Sequence, residues 1–315
     1  MLAARTRSGL VETIHDGAVA VVSADGHLIA HSGDIDRPFF LRSAAKPFQA
    51  AISQREGADL RPVELAIAAA SHDGEPVHVA LVESMLSAVG LDSSDLGCPP
   101  SWPLSEAATG RHRSLGRDSA QPIWNNCSGK HAGWLMACQA RDWPTASYLA
   151  PDHPLQTAIG RFVAELGEYP VGPVGVDGCG APVARTTTRV MARLYSRLAT
   201  MPELREVFTA MHRYPALVSG TGNGDASVAI TINAVAKRGA AGCAGVAIDK
   251  RLGVGVKSWD GNHSVVDTAT VATLAALGEL PPYASDQLAS ISRPPTLGGG
   301  QPVGRPEPRL ELQWD

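Results

Sequence analysis

Ser43 and Lys46 stand three residues apart in the segment Leu41-Arg42-Ser43-Ala44-Ala45-Lys46-Pro47-Phe48-Gln49-Ala50. On a helix that spacing puts both side chains on one face, with Cβ atoms about 5–6 Å apart. A serine hydroxyl is a poor nucleophile until a base takes its proton. A lysine supplies that base when burial lowers its pKa, because a low-dielectric site disfavours the ammonium form. The pair is therefore the minimum equipment for acyl transfer without histidine. Pro47 has no N–H to donate and is tolerated in the first helical turn. It predicts a helix that begins close to Ser43, with the hydroxyl at the positive end of the helix dipole, where free N–H groups can hold an oxyanion. A Ser-x-x-Lys spacing also arises by chance in a chain of this length, so its surroundings have to decide.

Three further polar clusters interrupt sequence that otherwise reads as core or plain loop. They are Ser71-His72-Asp73-Gly74-Glu75, Asn125-Asn126-Cys127-Ser128-Gly129-Lys130-His131, and Val176-Asp177-Gly178-Cys179-Gly180. Ser71 follows an Ala-rich helical run, where a polar residue also serves as a plain helix end. Cys127 and Cys179 sit on polar, Gly-rich segments; two thiolates on loops suit zinc, and two buried thiols are the plainer reading. His131, at a helix start, reads equally as a structural donor. Lys257 lies inside a strand pattern, where a lysine usually points to solvent. Pointing inward, it must meet a partner, since a buried unpaired charge is costly.

The elements that carry these residues fall into two kinds. The run 17–22 is apolar and β-branched, and Asp25-Gly26 separates it from 27–30, which predicts a β-hairpin. Residues 10–14 read as a further strand. The runs 244–248 and 253–257 flank Asp249-Lys250-Arg251 as a second hairpin. Between the hairpins a 3.6-residue period predicts helices at 47–55, 62–70, 78–89, 132–140, 154–166, 182–198, 202–213 and 226–237, with a last helix at 265–277. The expected fold is α/β of the α+β kind. An antiparallel sheet is built from both chain ends (about 9–32 and 243–278), and helices cover it. A helical lobe follows (about 43–240), and the tail 279–315, rich in Pro and Gly, reads as an irregular strap. All of it forms a single domain, 1–315, with a cleft between sheet and lobe as the natural site.

Composition bounds the function. The chain has 315 residues, 44% hydrophobic and 18% charged, with a net charge of -4. No basic run is present, which argues against nucleic acid as a partner, and no apolar stretch is long enough to span a bilayer. Five cysteines, an odd number, argue against a disulfide framework. The N-terminal residues lack an apolar signal core, so a cytoplasmic location is expected.

Taken as an ordered set, the Ser43 segment, the three polar clusters, Val256-Lys257 and Asp260-Gly261-Asn262 resemble the rhizobial-type (class 3) L-asparaginases. The resemblance runs from about residue 9 to 277. It implies hydrolysis of L-asparagine to L-aspartate and ammonia, a fold similar to serine β-lactamases and glutaminases, and usually a homodimer. It also implies two Ser–Lys pairs, Ser43 with Lys46 and Ser71 with Lys257. Cys127, Lys130 and Cys179 match the ligands of a metal, usually zinc. Asp177 and His131 match residues lining the substrate pocket, with Asp177 expected to meet the substrate ammonium, and Arg42 matches a residue beside the nucleophile. The alternatives are a glutaminase or another serine amidohydrolase of the β-lactamase fold, or a non-catalytic module that binds zinc or an amino acid.

Overall fold

The structure is a computed structural model that describes every residue except 171 and 173. Its strands, in chain order, are β1 (Ala3–Arg7), β2 (Leu10–His15), β3 (Gly17–Ser23), β4 (Leu28–Ser32), β5 (Phe39–Phe40), β6 (Val174–Val176), β7 (Pro182–Thr186), β8 (Ala234–Gly239), β9 (Cys243–Ile248), β10 (Leu252–Ser258), β11 (Thr296–Gly298), β12 (Gln301–Gly304), β13 (Pro306–Pro308) and β14 (Gln313–Trp314). The main sheet has six strands in the order β14-β4-β3-β10-β9-β8, each pair antiparallel. Both chain ends thus meet in its centre, where Val21 lies opposite Val254 and Val254 opposite Val246. The Asp25-Gly26 turn closes the first hairpin, with Gly26 at φ +92° and its N–H donating to Ser23 O.

Helices cover both faces. On one, the helix Thr188–Thr200 lies so close that a Cβ at Gly253 would fall 2.1 Å from Ser196 N, and one at Gly245 would fall 2.0 Å from the Tyr195 ring. Glycine in these strands exists for that approach. On the other face, the helix His263–Ala276 packs Val265, Val266 and Ala269 against Val254, Val256 and Val246. The larger core lies under the lobe, around Phe48, Ile67, Trp134, Leu194 and Phe208.

Three sequence expectations change. The stretch 182–198 divides into β7 and the helix Thr188–Thr200, because three successive β-branched threonines favour extended backbone and Thr187 caps the helix by accepting from Val190 N. The stretch 226–237 ends as a helix at Thr231 and continues as edge strand β8, which carries Lys237. The tail is not merely an irregular strap: β13 pairs with β1, and β14 adds a strand to the main sheet beside β4.

Candidate active site

Ser43 sits in a single 3-10 turn, Arg42–Ala45, that runs into the helix Lys46–Ser53 with Pro47 in its first turn. The placement expected from Pro47 is the one found. Two contacts fix this turn against the sheet. Tyr195 Oη donates to Ala44 O at 2.9 Å, and its ring meets Phe48 edge-on, centroids 5.7 Å apart. Gly239 on β8 lies so near that a Cβ there would stand 2.8 Å from Leu41 O and 3.2 Å from Ala44 N. Arg42 adopts φ +52°, a left-handed conformation that disfavours a side chain with Cβ. Its Nε donates to Asp177 Oδ1 at 2.5 Å, which holds the residue beside the serine in that conformation.

Lys46 is 1% exposed. Its Nζ donates to Ala70 O (2.6 Å), Ser71 Oγ (3.0 Å) and Asn126 O (3.3 Å). The lysine one turn beyond Ser43 therefore hydrogen-bonds the second serine, not the first. Burial pulls its pKa down to about 8; Cys127 opposes this, and the like charges of Lys237 and Lys130 reinforce it. Ser71 lies past the end of the helix Pro62–Ala68, anchored by its own N–H donating to Val218 O at 2.8 Å.

Ser43 and Ser71 open onto one cavity of about 430 Å³, whose other polar walls include Asp73, Asn126, Asn223, Lys237, Arg238 and His263. Lys237 Nζ pairs with Asp225 Oδ2 at 3.2 Å, both side chains being buried, and donates to Arg238 O at 3.0 Å. Arg238 reaches Asp225 (3.4 Å) and Asp267 (3.3 Å). Burial raises Asp225's carboxyl, but Lys237 and Arg238 outweigh it, and the net direction is down. Asp267 is pushed up to about 7, chiefly by burial, with Arg238 opposing.

The structure does not bring the expected second pair into contact. Lys257 points inward, but its Nζ donates to Ala241 O (2.8 Å) and Ser258 O and lies over the rings of Trp259 (5.2 Å) and Phe39 (5.6 Å). It neither bonds Ser71 nor lines the serine cavity. The second lysine there is Lys237, hidden from a sequence reading that placed it at the end of a helix. The signal for it was Lys237-Arg238-Gly239 leading through a Gly-containing turn into the apolar run of β9, a hairpin pattern.

Arg42 and Asp177 line a different cavity, of about 330 Å³, on the far side of the Ser43 turn. Asp177 is already engaged, by Arg42 and by the Gly178 N–H at 2.8 Å. His131 is fully buried and lines neither cavity; its Nδ1 shares a 2.6 Å hydrogen bond with Tyr148 Oη, and burial holds its pKa well below the usual histidine value.

Cys127, Lys130 and Cys179 do converge. Lys130 Nζ lies 3.0 Å from Cys179 Sγ, and the Cys127 thiol donates to Asn126 Oδ1 at 3.1 Å. The neighbouring Cys179 thiol, with Lys46 and Lys130, holds the Cys127 thiol well below its usual value, and Cys127 in turn, with burial, pushes Cys179 up. Burial lowers Lys130, yet the two sulfurs outweigh it and the net direction is up. Among the described residues no three His, Cys, Asp or Glu side chains group as a metal site.

Residues 3–308 match the family model of L-asparaginase II. The chain belongs to the L-asparaginase II family. L-asparaginase II enzymes are amidohydrolases, and hydrolysis of L-asparagine is this chain's activity. A search of curated protein sequences gave no match. Among solved structures, Mglu in its native form is 18% identical, with a TM-score of 0.45 over 87% of this chain and 67% of that one. Mglu in its L-glutamate binding form is also 18% identical, with a TM-score of 0.47 over 87% and 63%. A probable glutaminase is 16% identical, with a TM-score of 0.42 over 82% and 85%. Among the described residues of this L-asparaginase II chain no helix is long and apolar enough to cross a membrane.

Proposed function

We propose that this asparaginase works through an acyl-enzyme formed on Ser43, with Lys46 as the base and Ser71 as the proton carrier. The observation that carries the reading is Lys46: buried, with its pKa pulled to about 8, it bonds one of two serines that open onto a single cavity. Ser43 Oγ attacks the side-chain amide carbon, and its proton goes to neutral Lys46. The proton then passes through Ser71 Oγ to the amide nitrogen, which leaves as ammonia. Water enters by the reverse path and releases L-aspartate. The Ala44 N–H is already given to Leu41 O, so the Ser43 N–H at the start of the turn is the donor that suits the oxyanion. Lys237, held by Asp225, adds a fixed positive charge to the same cavity and favours that developing negative charge.

Cys127, Lys130 and Cys179 fit zinc by their chemistry, since sulfur donors suit that ion and three side chains leave a position for water. Bound there, zinc would supply positive charge and hold the 125–131 and 176–180 segments together. The protein's own part is to surrender the lysine and thiol protons, so affinity should weaken as pH falls. We also take the enzyme to be cytoplasmic, in keeping with five free cysteines, and homodimeric. The exposed Leu10, Val11 and Ile14 of strand β2 offer apolar surface for a partner copy.

Ser43→Ala tests the assignment through ammonia release from L-asparagine. A loss of about 10³-fold or more in kcat with the fold retained is expected. Near-normal turnover would pass the nucleophile's role to Ser71.

A further inference from the structure

In the irregular segment after the helix Pro62–Ala68, Ser71 and Asp73 line the serine cavity. His72 between them turns into the core, fully buried, with its Nε2 2.9 Å from Ser128 Oγ. The placement of Asp73 is tight. A Cβ at Gly220, which has φ +82°, would lie 1.8 Å from Asp73 Oδ2, so only glycine lets the carboxylate occupy this position. The Asn223 amide donates to both its oxygens, at 3.3 and 3.4 Å.

The charges of the cavity do not balance at this corner. Lys237 and Arg238 are matched by Asp225 and Asp267. Among the described residues Asp73 has no ion-pair partner. It is half-buried; burial and Glu75 push its carboxyl up, while Arg238, beyond ion-pair distance and shared with Asp225 and Asp267, pulls it down only in part. A half-buried carboxylate without a contact ion pair, aimed into a substrate cavity, is complementary to a cation. In L-asparagine the ammonium nitrogen is three bonds from the amide carbon, so its receptor has to share a cavity with the nucleophile.

We propose that Asp73, steadied by Asn223 and admitted by Gly220, receives the substrate's α-ammonium and so selects α-amino acid amides over simple amides. The inference rests on the acyl-transfer reading above, which places the substrate in this cavity. It assigns to Asp73 the part that the sequence offered to Asp177.

The test compares L-asparagine with succinamic acid, which is the same molecule without the amino group. Calorimetric binding is measured on Ser43→Ala, which prevents turnover, and on Ser43→Ala combined with Asp73→Asn, whose isosteric amide keeps the packing against Gly220. The added Asp73→Asn change should weaken L-asparagine by about 10- to 100-fold, the range for one charge-assisted hydrogen bond. Succinamic acid should bind equally well or better. Parallel weakening of both ligands, unchanged L-asparagine affinity, or no L-asparagine binding to Ser43→Ala would each overturn the proposal. The nucleophile assignment fails separately, by residual turnover in Ser43→Ala. As a second readout, Asp73→Asn alone should raise KM for L-asparagine much more than it lowers kcat.

Discussion

The pH profile of turnover should follow Lys46. A lysine at its usual pKa of about 10.4 is neutral for only about 0.04% of the time at pH 7. Burial takes Lys46 to about 8, which makes about 9% of the enzyme competent at pH 7 and about 90% at pH 9 by the same titration arithmetic. Burial is therefore worth about 200-fold in active fraction at neutral pH. Ammonia release at saturating L-asparagine should rise about tenfold from pH 7 to 9, with unit slope in log kcat below pH 8 and a plateau above. His72 and His131 are both held well below the usual histidine value by burial, so neither produces this inflection. Asp267, pushed up to about 7, titrates nearby, and Asp267→Asn separates the two. The inflection should survive that change and vanish, with activity, in Lys46→Met. A flat profile from pH 6 to 9, or an inflection that moves with Asp267, would refute the lysine base. Stability carries the same sign. The unfolded chain holds the lysine proton up to its usual pKa while the folded one releases it near 8. Folding should therefore gain on the order of 3 kcal/mol as pH rises through that interval, with the burial cost in full below it.

Two further substitutions follow from the site. Lys237→Met should lower kcat by about 10²-fold or more, because it removes a charge beside both serines and leaves buried Asp225 short of a partner. Lys257→Met, away from the cavity, should leave kcat within about threefold; the reverse ranking in a steady-state assay would restore the Ser71–Lys257 pair. Cys127→Ser should lose most bound zinc by elemental analysis of protein purified without chelator. Protein with no zinc and with two thiols missing on titration would point instead to a Cys127–Cys179 disulfide.

Local chemistry made part of this protein legible from its sequence. The Ser43–Lys46 spacing and Pro47 predict where a helix starts and what it presents, because one turn of backbone settles both. Asp25-Gly26 does the same for the first hairpin, since the turn demands a positive φ that glycine supplies. The family was legible too, in the order of its polar segments. What the sequence left open concerns direction and distance. Lys237 and Lys257 are both lysines of apolar strands. Only the sheet order, which puts β8 at the edge against the Ser43 turn and β10 in the centre, decides which lysine lines the serine cavity. Lys46 was legible as a base, but its partner Ser71 comes from a separate segment anchored by Val218. Asp73 and Asp177 are equivalent as carboxylates in polar loops. Tertiary contact pairs one with Arg42 and leaves the other without a contact ion pair, because electrostatic pairing depends on which loops the packed core brings within a few ångströms.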